Sequence, residues 1–242
     1  MPPKRMHQQE RLLEDLRDMH KFLAEDGGVP GDVFTCGDDD NVCFACTRWA
    51  TGYSTSPHLA TMRQIVIGTG AKRIGEIGFG RSSFMFALLG YNEFDGRDTR
   101  YALTTCDRYD YRYMLDIAGI DWVDYIIGDA DKFFSRVDTC DFLFLDYMST
   151  RKKSVESCYK DMKRAIKMLP TNGIVAVHDA LPGKYNVAAA LKMLQAKYRG
   201  EIEALTLPYG YGLALIRRIS ASKHGILKDT WKKKPDDRSG DA

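Results

Sequence analysis

The stretch that most restricts the fold is residues 72–90, KRIGEIGFGRSSFMFALLG. Ile74 and Ile77 flank one acid, Glu76, and Gly78 and Gly80 then lead into Ser82, Ser83 and the apolar run 84–89. This order predicts a strand, a glycine turn and the start of a helix. Glycine suits such a turn because a missing Cβ permits positive φ and lets a ligand approach the backbone closely. The helix beyond offers unpaired N–H groups and the positive end of its dipole, so nucleotide-like groups bind at such places. A packed turn without a ligand shows the same residues. A dinucleotide site would read G-x-G-x-x-G off the strand end; here the order is acid-x-Gly-x-Gly-x-Ser.

The rest of the chain alternates strand and helix patterns. Ser56-Pro57 is a helix start, since Ser caps and Pro fits the first turn, and Leu59, Met62 and Val66 form an apolar stripe behind it. Strands are predicted over 101–106, 122–127, 141–145 and 174–177, with helices over 109–118, 154–169 and 185–198. The segment DFLFL at 141–145 is apolar in all but its first residue, as expected of a strand buried on both faces of a parallel sheet. Segments 202–207 and 213–219 are joined by a short Pro-Tyr-Gly-Tyr-Gly connection and must be antiparallel. Ligands of open α/β sheets gather at the carboxyl ends of the strands. Glu76, Asp107, Asp129, Asp146, His178 and Asp179 all fall at such ends.

The glycine turn with its preceding acid resembles the first motif of class I S-adenosylmethionine-dependent methyltransferases, departing from it at Ser82, where a third small residue, often glycine, is usual. The segment FLFLDYMST…GIVAVHDAL is similar to the catechol and caffeoyl-coenzyme A O-methyltransferase type, and more so to a branch whose fifth strand also ends in His-Asp. The resemblance covers residues 56–219. It implies an α/β fold, a doubly wound, mostly parallel seven-stranded sheet closed by an antiparallel hairpin. It implies cofactor contacts at Glu76, near the ammonium group, and at Gly78, Gly80, Ser82, Asp107, Asp129, Ala130 and Asp146. Asp107 lies 27 residues after Gly80 and suits the ribose, because a carboxylate accepts from both vicinal hydroxyls. Asp129 matches the position facing the adenine.

In metal-dependent members, an acid after strand four and an acid-amide pair after strand five hold magnesium (Mg2+). Asp146 and Asp179 occupy the two acid positions, and Ala180 stands where the amide would be. His178 could substitute, but magnesium prefers oxygen. The resemblance therefore leaves the metal optional. Methyl transfer needs alignment of the reacting atoms and loss of one proton. His178 is the candidate general base, since histidine titrates near neutrality, with Asp179 and Asp146 beside it.

The expected organisation is an N-terminal helix (5–25) and cap over 1–55, the cofactor-binding domain over 56–220, and a basic polar tail over 221–242. A formal charge of +2 gives no global electrostatic case for nucleic acid. No apolar run reaches a membrane span, and the charged amino terminus lacks a signal-peptide core, so a cytoplasmic protein is expected. Cys106, Cys140 and Cys158 read as small buried apolar residues. Cys36, Cys43 and Cys46 make one C-x-x-C pair, short of a zinc site, with His58 the nearest conceivable fourth ligand. The acceptor is expected to be a small molecule, a sugar or another polyhydroxylated or aromatic metabolite, methylated on oxygen. Asp146-Tyr147-Met148-Ser149 lacks the Asn/Asp-Pro-Pro-aromatic run of base-modifying enzymes. An RNA ribose methyltransferase, a non-catalytic cofactor-binding module and a nicotinamide oxidoreductase are the alternatives. Oligomeric state, including a homo-oligomer, stays open.

Overall fold

The structure, a computed structural model, describes residues 14, 56–89, 101–118, 120–148, 153–183 and 185–219. The expected cap with Cys36, Cys43 and Cys46, and the expected basic tail, lie outside the described residues, as does the 5–25 helix apart from residue 14.

Helix α1 (Ser56–Thr69) leads into β1 (Arg73–Ile77) and α2 (Arg81–Leu88). There follow β2 (Ala102–Asp107), α3 (Arg112–Ile117), β3 (Asp124–Ile127), α4 (Ala130–Arg136), β4 (Phe142–Leu145), α5 (Val155–Met168), β5 (Ile174–His178), α6 (Val187–Lys197), β6 (Ile202–Leu207) and β7 (Leu213–Arg218). These strands form one seven-stranded sheet in the order β3-β2-β1-β4-β5-β7-β6. The first five are parallel, and β7 inserts antiparallel between β5 and β6. The predicted α/β architecture with its closing hairpin is present.

Alternation along the strands builds a core on each face. In β4, Phe142 and Phe144 point into a cluster with Leu59, Met62 and Val66 of α1 and Phe84 and Met85 of α2. Leu143 and Leu145 point the other way, onto Phe133 of α4, Cys158, Met162 and Ile166 of α5, and Leu191 and Leu194 of α6. Cys106, Cys140 and Cys158 are buried free thiols, as the sequence predicts. At the amino ends of β1 and β4, the Asp141 carboxylate accepts from the Lys72 and Arg73 backbone N–H groups at 3.0 and 2.9 Å. It also pairs with the Arg73 guanidinium at 2.6 Å.

The structure departs from the predicted boundaries for local reasons. Helix α3 begins three residues late because Asp107 accepts from Tyr109 N and Asp110 from Arg112 N, holding 107–111 in turns. Strand β3 begins at Asp124, after Trp122, whose indole donates to Ala87 O. Helix α4 has no counterpart in the prediction, since seven residues with adjacent phenylalanines carry little periodicity. No helix among the described residues is long and apolar enough to cross a membrane.

Candidate functional site

The carboxyl ends of β1, β2, β3 and β4 are stitched together by backbone bonds. Gly78 N donates to Cys106 O, Gly128 N to Asp107 O, and Asp146 N to Ile77 O, at 2.8–2.9 Å. Above them opens a cleft of about 280 Å³ lined by Gly78, Asp107, Arg108, Tyr109, Asp129, Ala130, Asp131, Asp146, Tyr147, Lys153 and Ser157 among others. That volume is at the small end for a ligand site.

The two turn glycines have different reasons to be glycine. Gly78 sits at φ +109, and a Cβ there would lie 2.8 Å from the Asp146 carbonyl oxygen. Glycine at 78 is thus required by the approach of the β4 end. Gly80 is extended (φ −175), and a Cβ there would meet nothing within 4 Å. Neither conformation nor packing demands glycine at 80; the space over it is open.

Glu76 lies beneath this turn with no solvent exposure. Its carboxylate accepts from Ser82 Oγ, Ser83 Oγ and Thr105 Oγ1, the last at 2.9 Å from the residue in register on β2. Burial pushes its pKa up from 4.5 to about 7 against those three bonds. The carboxylate expected at the cofactor's ammonium group is therefore turned inward, and the Ser82 hydroxyl with it. Ser83 Oγ also accepts from Gly80 N at 3.0 Å, so Glu76 holds the turn from below. Phe79 anchors it from the side, stacked on Tyr111 at 5.5 Å and edge-on to Tyr125.

Asp107 stands beside the turn. Its Oδ2 accepts from Phe79 N at 3.1 Å and its Oδ1 from Tyr109 N at 3.0 Å. Each oxygen keeps a lone pair for a ligand hydroxyl, in a carboxylate already fixed by the backbone. Asp129 caps α4 by accepting from Lys132 N at 3.2 Å, and Ala130 follows it into the cleft wall.

At the other end of the cleft, Asp146 Oδ1 is 2.8 Å from His178 Nδ1, and Asp179 Oδ2 is 3.4 Å from the same atom. Asp146 is 26% exposed at its side chain, whereas His178 and Asp179 are buried. Asp179 has φ +60, in the left-handed region, as the chain turns to bond Ala180 N to Gly212 O and Leu181 N to Tyr211 O. Burial alone would lower the His178 pKa; the hydrogen bonds and charges of Asp146 and Asp179 outweigh it and raise it to about 10. The two carboxylates thus favour the protonated form of the His178 ring. Ala180 offers no side-chain donor. Asp146, His178 and Asp179 each offer one donor atom within 4.8 Å of the others, two of them the carboxylate oxygens that magnesium takes and one an imidazole nitrogen that it takes poorly.

Sequence reasoning missed several residues. Arg108 and Tyr109 follow a strand-end acid and could have been found by extending that rule. Lys153 precedes α5, and Ser157 and Asp161 lie in its first half, where no strand-end signal operates; Lys153 Nζ pairs with Asp161 at 2.5 Å and lies 4.0 Å over the Tyr147 ring. His58, considered only with distant cysteines, is wholly buried in α1 beside His178. Burial, reinforced by the positive charge of His178, lowers the His58 pKa to about 4.

No protein-family model matches the sequence, and no curated protein does. Solved structures match the fold. An O-methyltransferase from Bacillus cereus, in complex with SAH, has a TM-score of 0.53 at 12% identity, covering 86% of this chain and 90% of its own. The O-methyltransferase TomG from Streptomyces achromogenes, in complex with SAM, has 0.52 at 17% identity, covering 73% and 85%. The N-methyltransferase NodS from Bradyrhizobium japonicum, with S-adenosyl-L-homocysteine, has 0.51 at 13% identity, covering 77% and 94%. Together with the 3-2-1-4-5-7-6 strand order, these matches show that the chain has the fold of class I S-adenosylmethionine-dependent methyltransferases.

Proposed function

We propose that this chain is an S-adenosylmethionine-dependent methyltransferase acting on an oxygen of a small molecule. One observation carries the reading: a carboxylate pre-positioned by two backbone N–H groups, Asp107, shares one cleft with Gly78 of the glycine turn and with Asp129 and Asp146. The Gly78 to Gly80 backbone and Asp107 would hold the cofactor's polar groups and ribose, and Asp129 and Ala130 its adenine. When bound, S-adenosylmethionine supplies an electrophilic sulfonium methyl. Glu76, Ser82 and Ser83 support the turn rather than touch the ligand. Asp146 presents its carboxylate to the cleft, and His178 holds that carboxylate in place through Nδ1. Oxygen is favoured as acceptor atom by the sequence after β4, since both O- and N-methyltransferases share the fold.

Calorimetric titration tests this. Wild-type protein is expected to bind S-adenosylhomocysteine with micromolar affinity and to give no heat with NAD. Asp107→Ala is expected to weaken binding by about ten-fold or more, as lost hydrogen bonds to a charged group do. Preference for NAD, or unchanged affinity in Asp107→Ala, refutes the assignment.

A further inference from the structure

His58 sits at the start of α1 with no solvent exposure, and neither of its ring nitrogens has a hydrogen-bond partner among the described residues. Buried polar groups are nearly always satisfied, and leaving one unpaired is costly. The ring stands at the end of a row that starts in the cleft. Asp146 lines the cleft and bonds His178 at 2.8 Å, and the His178 ring meets that of His58 at 5.4 Å and 69°. Two tyrosines of the β6–β7 connection border the row: Tyr209 packs on His58 at 4.7 Å, and Tyr211 stands at right angles to His178 at 6.5 Å. They are 36% and 43% exposed, so each has one side on buried imidazole and another in solvent.

The backbone above His58 is fastened, and only a side chain is free to uncover it. The turn 209–212 is closed by its own bond, Gly212 N to Tyr209 O at 3.0 Å. It is pinned to the segment after β5 by Ala180 N to Gly212 O and Leu181 N to Tyr211 O. A Cβ at Gly212 would lie 2.7 Å from Leu181 N, so the two segments are pressed together. The Tyr209 ring is held over His58 more lightly: its hydroxyl shares one exposed hydrogen bond, 2.7 Å, with Thr61 Oγ1 of α1. Rotation of this side chain breaks that bond and bares the imidazole. We propose that Tyr209 is a side-chain gate over a subsite at His58 that takes a ring-shaped acceptor bearing hydroxyl groups. A neutral imidazole has one donor and one acceptor, and hydroxyls, which both give and take, can satisfy the two nitrogens. The tyrosine rings offer flat apolar surface with polar tips, suited to a phenol or to a sugar ring. Calling the ligand the acceptor rests on the methyltransferase reading; the gate and the subsite rest on these atoms.

The test follows carbethoxylation of His58 by diethyl pyrocarbonate, which attacks accessible unprotonated imidazole, in the full chain with N-acetylhistidine as internal standard. Peptide mapping separates the five histidines. In the wild type His58 is expected to react far more slowly than the standard. Thr61→Val, which removes the bond to Tyr209 and keeps the side-chain shape, is expected to raise the His58 rate about five-fold, as loss of one ordinary hydrogen bond does. Tyr209→Ala should raise it at least as much, and in both variants the rate at buried His178 should stay as in the wild type. Phenol and methyl α-glucoside, added separately to the wild type, are the probes, an arm that depends on no variant folding. Saturable slowing of His58 by phenol assigns an aromatic acceptor, and slowing by the glucoside a sugar. An unchanged His58 rate in both variants, a wild-type rate equal to the standard, His178 rising in step with His58, or protection by neither probe overturns the proposal. Titration of the wild type with S-adenosylhomocysteine registers failure of the methyltransferase reading separately.

Discussion

Replacing Glu76 by glutamine should make the protein less sensitive to alkaline pH, by an amount the site itself sets. In the fold this carboxyl has its pKa raised from 4.5 to about 7 by burial. The folded state then binds more protons than the unfolded state between those values, so stability from this group is complete below pH 4.5. It falls as pH rises through about 7 and is level above. The loss across that interval amounts to about 3 kcal/mol. Glutamine has nearly the same shape and no charge to lose. Its carbonyl can accept from one hydroxyl and its amide can donate to another, since Ser82, Ser83 and Thr105 can rotate their O–H groups. The assay is thermal unfolding of wild type and Glu76→Gln at about pH 5 and about pH 8. The gap between the two melting temperatures should move in favour of the variant by roughly 6–12 °C, given about 2–4 °C per kcal/mol for a domain of this size. Titration of His178 and every other group is common to both proteins and cancels in the gap. A gap that stays the same at the two pH values refutes the reasoning.

The two glycines of the turn should separate fold from ligand. Gly78→Ala, with φ +109 and a Cβ 2.8 Å from the Asp146 carbonyl, is expected to cost about 3 kcal/mol or more in denaturant unfolding. Gly80→Val should unfold with wild-type stability within about 1 kcal/mol yet lose most S-adenosylhomocysteine affinity in calorimetry. At the opposite end of the sheet, Asp141→Ala removes the acceptor of two backbone N–H groups and an ion-pair partner of Arg73. It should lower stability by about 1–2 kcal/mol and speed amide exchange at Lys72 and Arg73, measured by hydrogen exchange.

The sheet was legible because its signals are strong ones. An apolar run such as 142–145 has few other uses, and the glycine turn after Glu76 fixes where the first strand must end. The acids at the strand ends were found by the same rule, and the structure brings Gly78, Asp107, Asp129 and Asp146 to one cleft. What the rule does not reach is direction and distance in sequence. It places Glu76 at a strand end but not which way its carboxylate faces, which depends on three hydroxyls from two elements. His58 is 120 residues from His178 in the chain, and their contact exists only because β5 alternates. Val175 and Val177 face α5 and α6, so Ala176 and His178 face α1. Lys153 and Asp161 enter the cleft wall from the segment before a helix and from its middle, for which periodicity gives no functional mark.

Asp141 lies a full strand away from the ligand cleft, about 13 Å below the glycine turn, yet it governs what appears there. By grasping two successive amides of the neighbouring strand it allows only one alignment of β1 against β4. A slip of a single position would swap the faces, sending Glu76 toward Phe133 and leaving the serines of α2 with nothing to hold. A charged residue at the foot of the sheet thus acts as the setting pin for the machinery at its head.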